Sequence, residues 1–189
     1  MIDLLKNQYI NYLIIRKQTL VPFNVDSLNI KSEITSDEYF DIKDEEITIL
    51  QNIGYGSATY HNPKLKKITI IDFEDFIEQL PDTFQKDLKR CNFIVYDTEG
   101  KAFFILNELS QSLTVENKRR KALQQLNQTA LYFSQTCDIN EFINSFEIKK
   151  CIFSNKDKLI SDTPNNNADA FSLIQDYLPD PLPLNFQPI

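Results

Sequence analysis

The chain has no tryptophan, one histidine, one methionine and only three glycines in 189 residues. Each shortage removes a class of chemistry. Glycine occurs only at Gly54, Gly56 and Gly100. Neither common phosphate-cradling loop can be written with these, because both need several glycines at close, fixed spacing. A single histidine, His61, removes most Ser-His and Cys-His catalysis. In "YHNPK" it reads as a turn residue next to Pro63. The three cysteines, Cys91, Cys137 and Cys151, are odd in number and no two stand at metal-ligand spacing. They are expected to be free thiols of an intracellular protein, with Cys91 and Cys151 buried in strand-like runs. Long apolar runs are also missing, and no secretory signal is visible. The reading predicts a cytoplasmic protein with no membrane partner.

Positive charge is in short supply too. The formal net charge is -7 and the sequence pI about 4.8. As a whole such a chain repels a phosphate backbone, so nucleic-acid binding is disfavoured unless a local basic patch exists. What is present in quantity is core material. Hydrophobic residues make up 42% of the chain, with 14 phenylalanines and 8 tyrosines. That composition suits one folded domain over residues 1–189.

The opening stretch carries Ile2, Leu5, Tyr9, Tyr12 and Leu13 at helical spacing, which predicts an amphipathic helix. The rest of residues 1–34 reads as extended. Ser36 is placed to cap a short helix through Phe40. "EITILQNIGYGSATY" predicts a strand, a turn and a second strand, and "LKKITII" a further strand. "DFEDFIEQL" sets Phe73, Phe76, Ile77 and Leu80 on one helical face, and Pro81 stops it. A new helix is expected from "PDTFQKDLKR", with Asp82 as its N-cap. "CNFIVYD", "TEGK" and "AFFILNELS" form a strand, a turn with Gly100, and a strand: a β-hairpin. "ENKRRKALQQLNQTALYFSQ" follows as the strongest helix, with Ala122, Leu123, Leu126, Ala130 and Phe133 as its stripe. "EIKKCIFSNK" predicts another strand, and "NADAFSLIQDYL" a helix. The tail at 179–189, "PDPLPLNFQPI", is too proline-rich for helix or central strand. This order predicts an α/β fold: a mixed central sheet flanked by helices.

With histidine, cysteine and glycine chemistry removed, carboxylate chemistry with a divalent metal remains. Here the sequence resembles a known family. "KRCNFIVYDTEGKAFFILNELSQS", then "KRRKALQQLNQTALYF" and "IKKCIFSNK", resemble the core of the PD-(D/E)xK nuclease superfamily. The resemblance covers residues 82–156 and implies a restriction-endonuclease-like core. In that superfamily a hairpin carries an Asp on its first strand and a Glu-x-Lys on its second. A helix that often bears a Gln-Leu pair follows, and then another strand. Carried over residue by residue, Glu108 matches the metal-binding glutamate and Gln125-Leu126 the helix pair. Ser110 stands where the lysine is expected, and Asn92 where the aspartate is expected.

Asp97 cannot replace the missing acid. Pairing across the hairpin sets Asp97 near Ala102 and Glu108 near Cys91 or Asn92. At about 3.3 Å per residue the two carboxylates end roughly 20 Å apart. Asn92, Glu108 and Ser110 are therefore the candidate site positions, spatially coherent but chemically weak: one acid, one amide, one hydroxyl. Lys118, Arg119, Arg120, Lys121 and Gln125 are candidates for contact with nucleic acid or a partner, against the alternative of a solvated helix face.

Two main readings follow. The first is a catalytically silent nuclease-like protein, without cofactor, that binds a protein partner as a subunit of a prokaryotic complex, with a role in defence against foreign nucleic acid implied by the resemblance. The second is an active Mg-dependent nuclease in which Glu108 holds the metal and relocated carboxylates help; Asp75, Glu78, Glu33 and Glu38 are the candidates. A stand-alone structural or regulatory α/β protein is a third.

Overall fold

The computed structural model describes residues 1–18, 23–43, 46–50, 56–110 and 115–155, with the backbone alone at 46–50, 110, 115–118 and 155. The helix expected in "NADAFSLIQDYL" and the proline-rich tail at 179–189 lie outside these residues.

The amphipathic start folds as expected. Ile2–Leu4 (α1), a π-helical stretch Leu5–Tyr9 and Ile10–Lys17 (α2) follow one another directly. Leu5, Tyr9, Ile10 and Leu13 are buried. Gln18 ends the helix in the left-handed conformation (φ 50°), and its N–H reaches the carbonyls of Ile14 and Ile15.

Five strands form the main sheet: β1 (Ser32–Thr35), β5 (Ile68–Asp72), β6 (Phe93–Asp97), β7 (Phe103–Ser110) and β8 (Ile148–Asn155), in the order β1-β5-β6-β7-β8. All neighbours are antiparallel except β7 and β8, which are parallel. A parallel step needs a crossover. It is made by α5 (Val115–Ser134) and α6 (Cys137–Asn144). Every residue of β5 and β6 is buried, as expected of central strands covered on both faces. The fold is thus α/β with a mixed sheet flanked by helices.

Strand alternation sorts the core into two layers. Ile71, Ile94, Phe104, Leu106 and Cys151 face the helices. There they meet the N-terminal helix, α3 (Phe73–Glu78), α5 and α6. Tyr9 lies edge-on to Phe73 and Phe133, with centroids 5.6 and 5.5 Å apart. The opposite parity (Ile68, Ile70, Phe93, Val95, Ile105, Leu109 and Ile152) packs on a second sheet of order β3-β2-β4. Its strands are β2 (Tyr39–Lys43), β3 (Glu46–Leu50) and β4 (Ala58–His61).

Three local expectations are corrected. Ser36 to Phe40 is not a helix: a turn leads into β2. Phe40 and Ile42 both enter the core against the main sheet, and that two-residue spacing suits a strand. The Asp37 carboxylate is spent on the turn, where it accepts from the Thr35 hydroxyl at 2.9 Å while the Asp37 N–H donates to the same Oγ1 at 3.1 Å. Asp82 is not an N-cap. Pro81 holds that position, and the helix, α4 (Asp82–Gln85), is one turn long. His61 is the last residue of β4 rather than a turn residue, and its ring stacks on Tyr39 at 4.4 Å. Helix α6 was not expected from the sequence. Among the described residues no helix is long and apolar enough to cross a membrane.

Candidate functional site

The hairpin register decides which residues can meet. Phe93 pairs with Asn107 and Tyr96 with Phe104. One further step sets Asn92 against Glu108. Glu108 shares the helix-side parity of Phe104 and Leu106, and it is buried at 6% exposure. Asn92 is buried beside it. The two positions are therefore neighbours, as expected, although the ladder itself ends at Phe93 and Asn107. Ser110 ends β7, but its side chain lies outside the described residues.

Asn92 is committed at both ends of its amide. Its Oδ1 accepts a hydrogen bond from the backbone N–H of Leu109 at 2.7 Å. Its Nδ2 donates to Glu74 Oε2. Its carbonyl accepts from the N–H groups of Phe73 and Glu74, at 2.8 and 3.1 Å. One asparagine thus ties β6 to β7 on one side and to the first turn of α3 on the other.

Glu74 is the site residue that sequence reasoning missed. It belongs to the helix before the hairpin, and nothing local says where that helix begins in space. The available signal was topological. If β5 pairs antiparallel with β6, then Asp72 falls opposite Phe93, as it does. The first turn of α3 must then sit over the start of β6. Asp72 caps α3 by accepting from the Asp75 N–H at 2.9 Å. Burial pushes its carboxyl above the usual carboxylate range, and the bond from the Asp75 amide opposes that only in part.

The carboxylates on α3 meet cations supplied by the chain. Arg90 contacts Glu74 at 3.3 Å and Glu78 at 2.8 Å. Lys31 contacts Asp75 at 2.5 Å. Of the other relocated-acid candidates, Glu33 is exposed on β1, and Glu38 lies 3.7 Å from His61 Nε2. Among the described residues no group of three or more His, Cys, Asp or Glu side chains is placed to hold a metal ion.

Long helix α5 braces this end of the sheet. Gln125 Nε2 donates to the Arg90 carbonyl at 2.9 Å. Thr129 Oγ1 accepts from the Cys91 N–H at 3.0 Å. Lys89 Nζ donates to Gln124 Oε1 at 2.7 Å. Of the basic run, Arg120 and Lys121 are exposed and Arg119 is half-buried. Lys118 is in the helix, with its side chain outside the described residues. The Cys91 thiol is pushed well above its usual range, first by burial and next by the negative charge of Glu108.

Asp97 lies at the far end of the hairpin, as expected. Its carboxylate accepts from the N–H groups of Gly100 and Ala102 at 2.9 and 3.2 Å and from Lys66 Nζ at 2.8 Å. Burial raises its pKa, but these bonds outweigh burial and hold it below the usual range. Its work is to organise the turn.

Chemically, the cluster at Asn92 is a neutral amide between the Glu74–Arg90 ion pair and the buried Glu108. That arrangement fastens three elements together. No family model, curated protein or solved structure matches the chain.

Proposed function

We propose that this chain is a catalytically silent, nuclease-like protein that acts by binding a protein partner, as a subunit of a prokaryotic complex directed against foreign nucleic acid. The observation that carries the first part is the double commitment of Asn92. Where the PD-(D/E)xK pattern has a metal-binding aspartate, this chain has an amide whose acceptor holds Leu109 and whose donor holds Glu74. A Mg²⁺ site depends on carboxylate charge. Here the nearby carboxylate of Glu74 meets the Arg90 guanidinium instead. The element order supports kinship with the superfamily: a hairpin, a long helix, and a strand parallel to the second hairpin strand. The partner-binding role rests on the resemblance and on the proline-rich segment 179–189.

The test has two arms. Purified protein is incubated with single- and double-stranded DNA and RNA in Mg²⁺ or Mn²⁺. No cleavage is expected; cleavage abolished by Glu108→Ala would make the protein an enzyme with relocated ligands. In the second arm, affinity capture is expected to retain one stoichiometric partner, and deletion of 179–189 to release it.

A further inference from the structure

The layer between the two sheets opens on one side, where β4 approaches the starts of β7 and β8. A cavity of about 270 Å³ lies there. This is close to the small end of ligand sites, which run roughly 300–1,000 Å³. Phe40, Tyr60, Ile68 and Ile105 give it a buried apolar lining, and Phe40 and Tyr60 stack at 5.0 Å. Ile148 adds an apolar wall that is 47% exposed.

The charge of this cavity is opposite to that of the chain. Lys64, Lys66 and Lys150 line it, and among the described residues no carboxylate does. Lys66 is neutralised by Asp97 at 2.8 Å. Lys64 and Lys150 have no carboxylate partner among the described residues. Lys150 has lost part of its water: burial alone pushes its ammonium below the usual range. A half-buried cation without an anion is costly, and a bound anion would relieve that cost.

The remaining polar groups narrow the ligand. Asn62 is spent: its Nδ2 donates to the carbonyls of Asp37 and Lys66, and its Oδ1 accepts from the Lys66 N–H. The Tyr60 hydroxyl accepts from the Asn107 amide, which leaves its own O–H free to donate. The side chains thus offer ammonium donors, the Tyr60 O–H and apolar walls, a set that suits a carboxylate head on an apolar body. A phosphate dianion is best held by arginine forks or converging backbone amides, and among the described residues no arginine lines the cavity.

We propose that this cavity binds a small amphipathic carboxylate, a medium-chain fatty acid or an arylcarboxylate, with its head on Lys150 and Lys64 and its apolar body over Phe40 and Tyr60. The site lies on the face of the main sheet opposite Glu108 and is independent of the nuclease-like reading.

The test is calorimetric titration of the full chain with sodium octanoate and with 3-phenylpropionate, which separates the two ligand types. 1-Octanol and inorganic phosphate are the controls. One site per chain is expected for at least one carboxylate, with octanol about tenfold weaker because it lacks the charge. Lys150→Ala and Ile148→Asp should each weaken binding by about tenfold with unchanged melting. Lys64→Ala, at an exposed position, is the second variant should Lys150→Ala unfold. The proposal is overturned if neither carboxylate saturates, if octanol binds equally, if phosphate competes for the site, or if Lys150→Ala and Lys64→Ala both leave affinity unchanged.

Discussion

Asn92→Ala is the sharpest test of how this end of the molecule is held. The substitution removes the acceptor of the Leu109 N–H, which sits 2.7 Å away at a residue only 5% exposed. A buried donor left without a partner costs roughly 1–3 kcal/mol. The bond to Glu74 is also lost. Glu74 keeps Arg90 at 3.3 Å and its side chain is 34% exposed, so that loss adds only about 0.5–1 kcal/mol. The sum is about 3 kcal/mol. For a chain of this size roughly 2–4 °C of melting temperature go with each kcal/mol, so the expected drop is about 6–12 °C. Urea unfolding followed by circular dichroism measures the free-energy loss, and a thermal melt by the same signal measures the drop in melting temperature. Asn92→Asp supplies the control. It keeps the acceptor for Leu109 but turns the donor toward Glu74 into an acceptor, setting two carboxylates against each other. The new acid's folded pKa is then raised. The folded state binds more protons between the two pKa values, so stability falls as pH rises through that window and returns on acidification. Once protonated, the acid donates to Glu74 as the amide did. An Asn92→Ala cost below about 0.5 kcal/mol, the range of ordinary surface changes, would refute the reasoning.

Gly100→Ala should destabilise the hairpin by about 1–3 kcal/mol in the same assay, because a Cβ there would stand 2.6 Å from Asp97 Oδ2 and 3.3 Å from Lys66 Nζ. Asp97 titrates below the usual carboxylate range when folded. Its contribution is therefore complete above the unfolded pKa and lost as pH falls through the folded one, and Asp97→Asn should flatten the acid limb of a stability–pH curve. Thiol titration at pH 8 should label Cys137, which is exposed, and spare Cys91 and Cys151 until urea is added. Burial pushes the Cys151 thiol up to about 12, so neither buried thiol offers thiolate to the reagent.

Much of the fold was legible because its signals are local. The hairpin declared itself by two β-rich runs around "TEGK", the long helix by its apolar stripe, and the N-terminal helix by Leu5, Tyr9 and Leu13. Errors arose where local chemistry served two structures equally well. Ser36, Asp37 and Glu38 suit a helix start or a turn, and only burial of Phe40 and Ile42 against the main sheet decides for a strand. Asp82 has the side chain of a cap but follows Pro81, which takes the cap position. Within the candidate site, the closeness of Asn92 and Glu108 followed from counting along two adjacent strands. Glu74 could not be found by counting, because β5 and β6 are separated by α3 and α4 and their pairing is not a local event.

The amino-acid order determined the elements whose periodicity repeats over several residues, and the hairpin register. Tertiary structure alone decided the rest. It placed a second sheet rather than a helix against Phe93 and Ile105, delivered Glu74 and Arg90 to Asn92, and left a lysine-lined opening beside Lys150. Periodicity reports which side of an element is apolar. What covers that side is settled by long-range packing, in which residues distant along the chain compete for the same buried area.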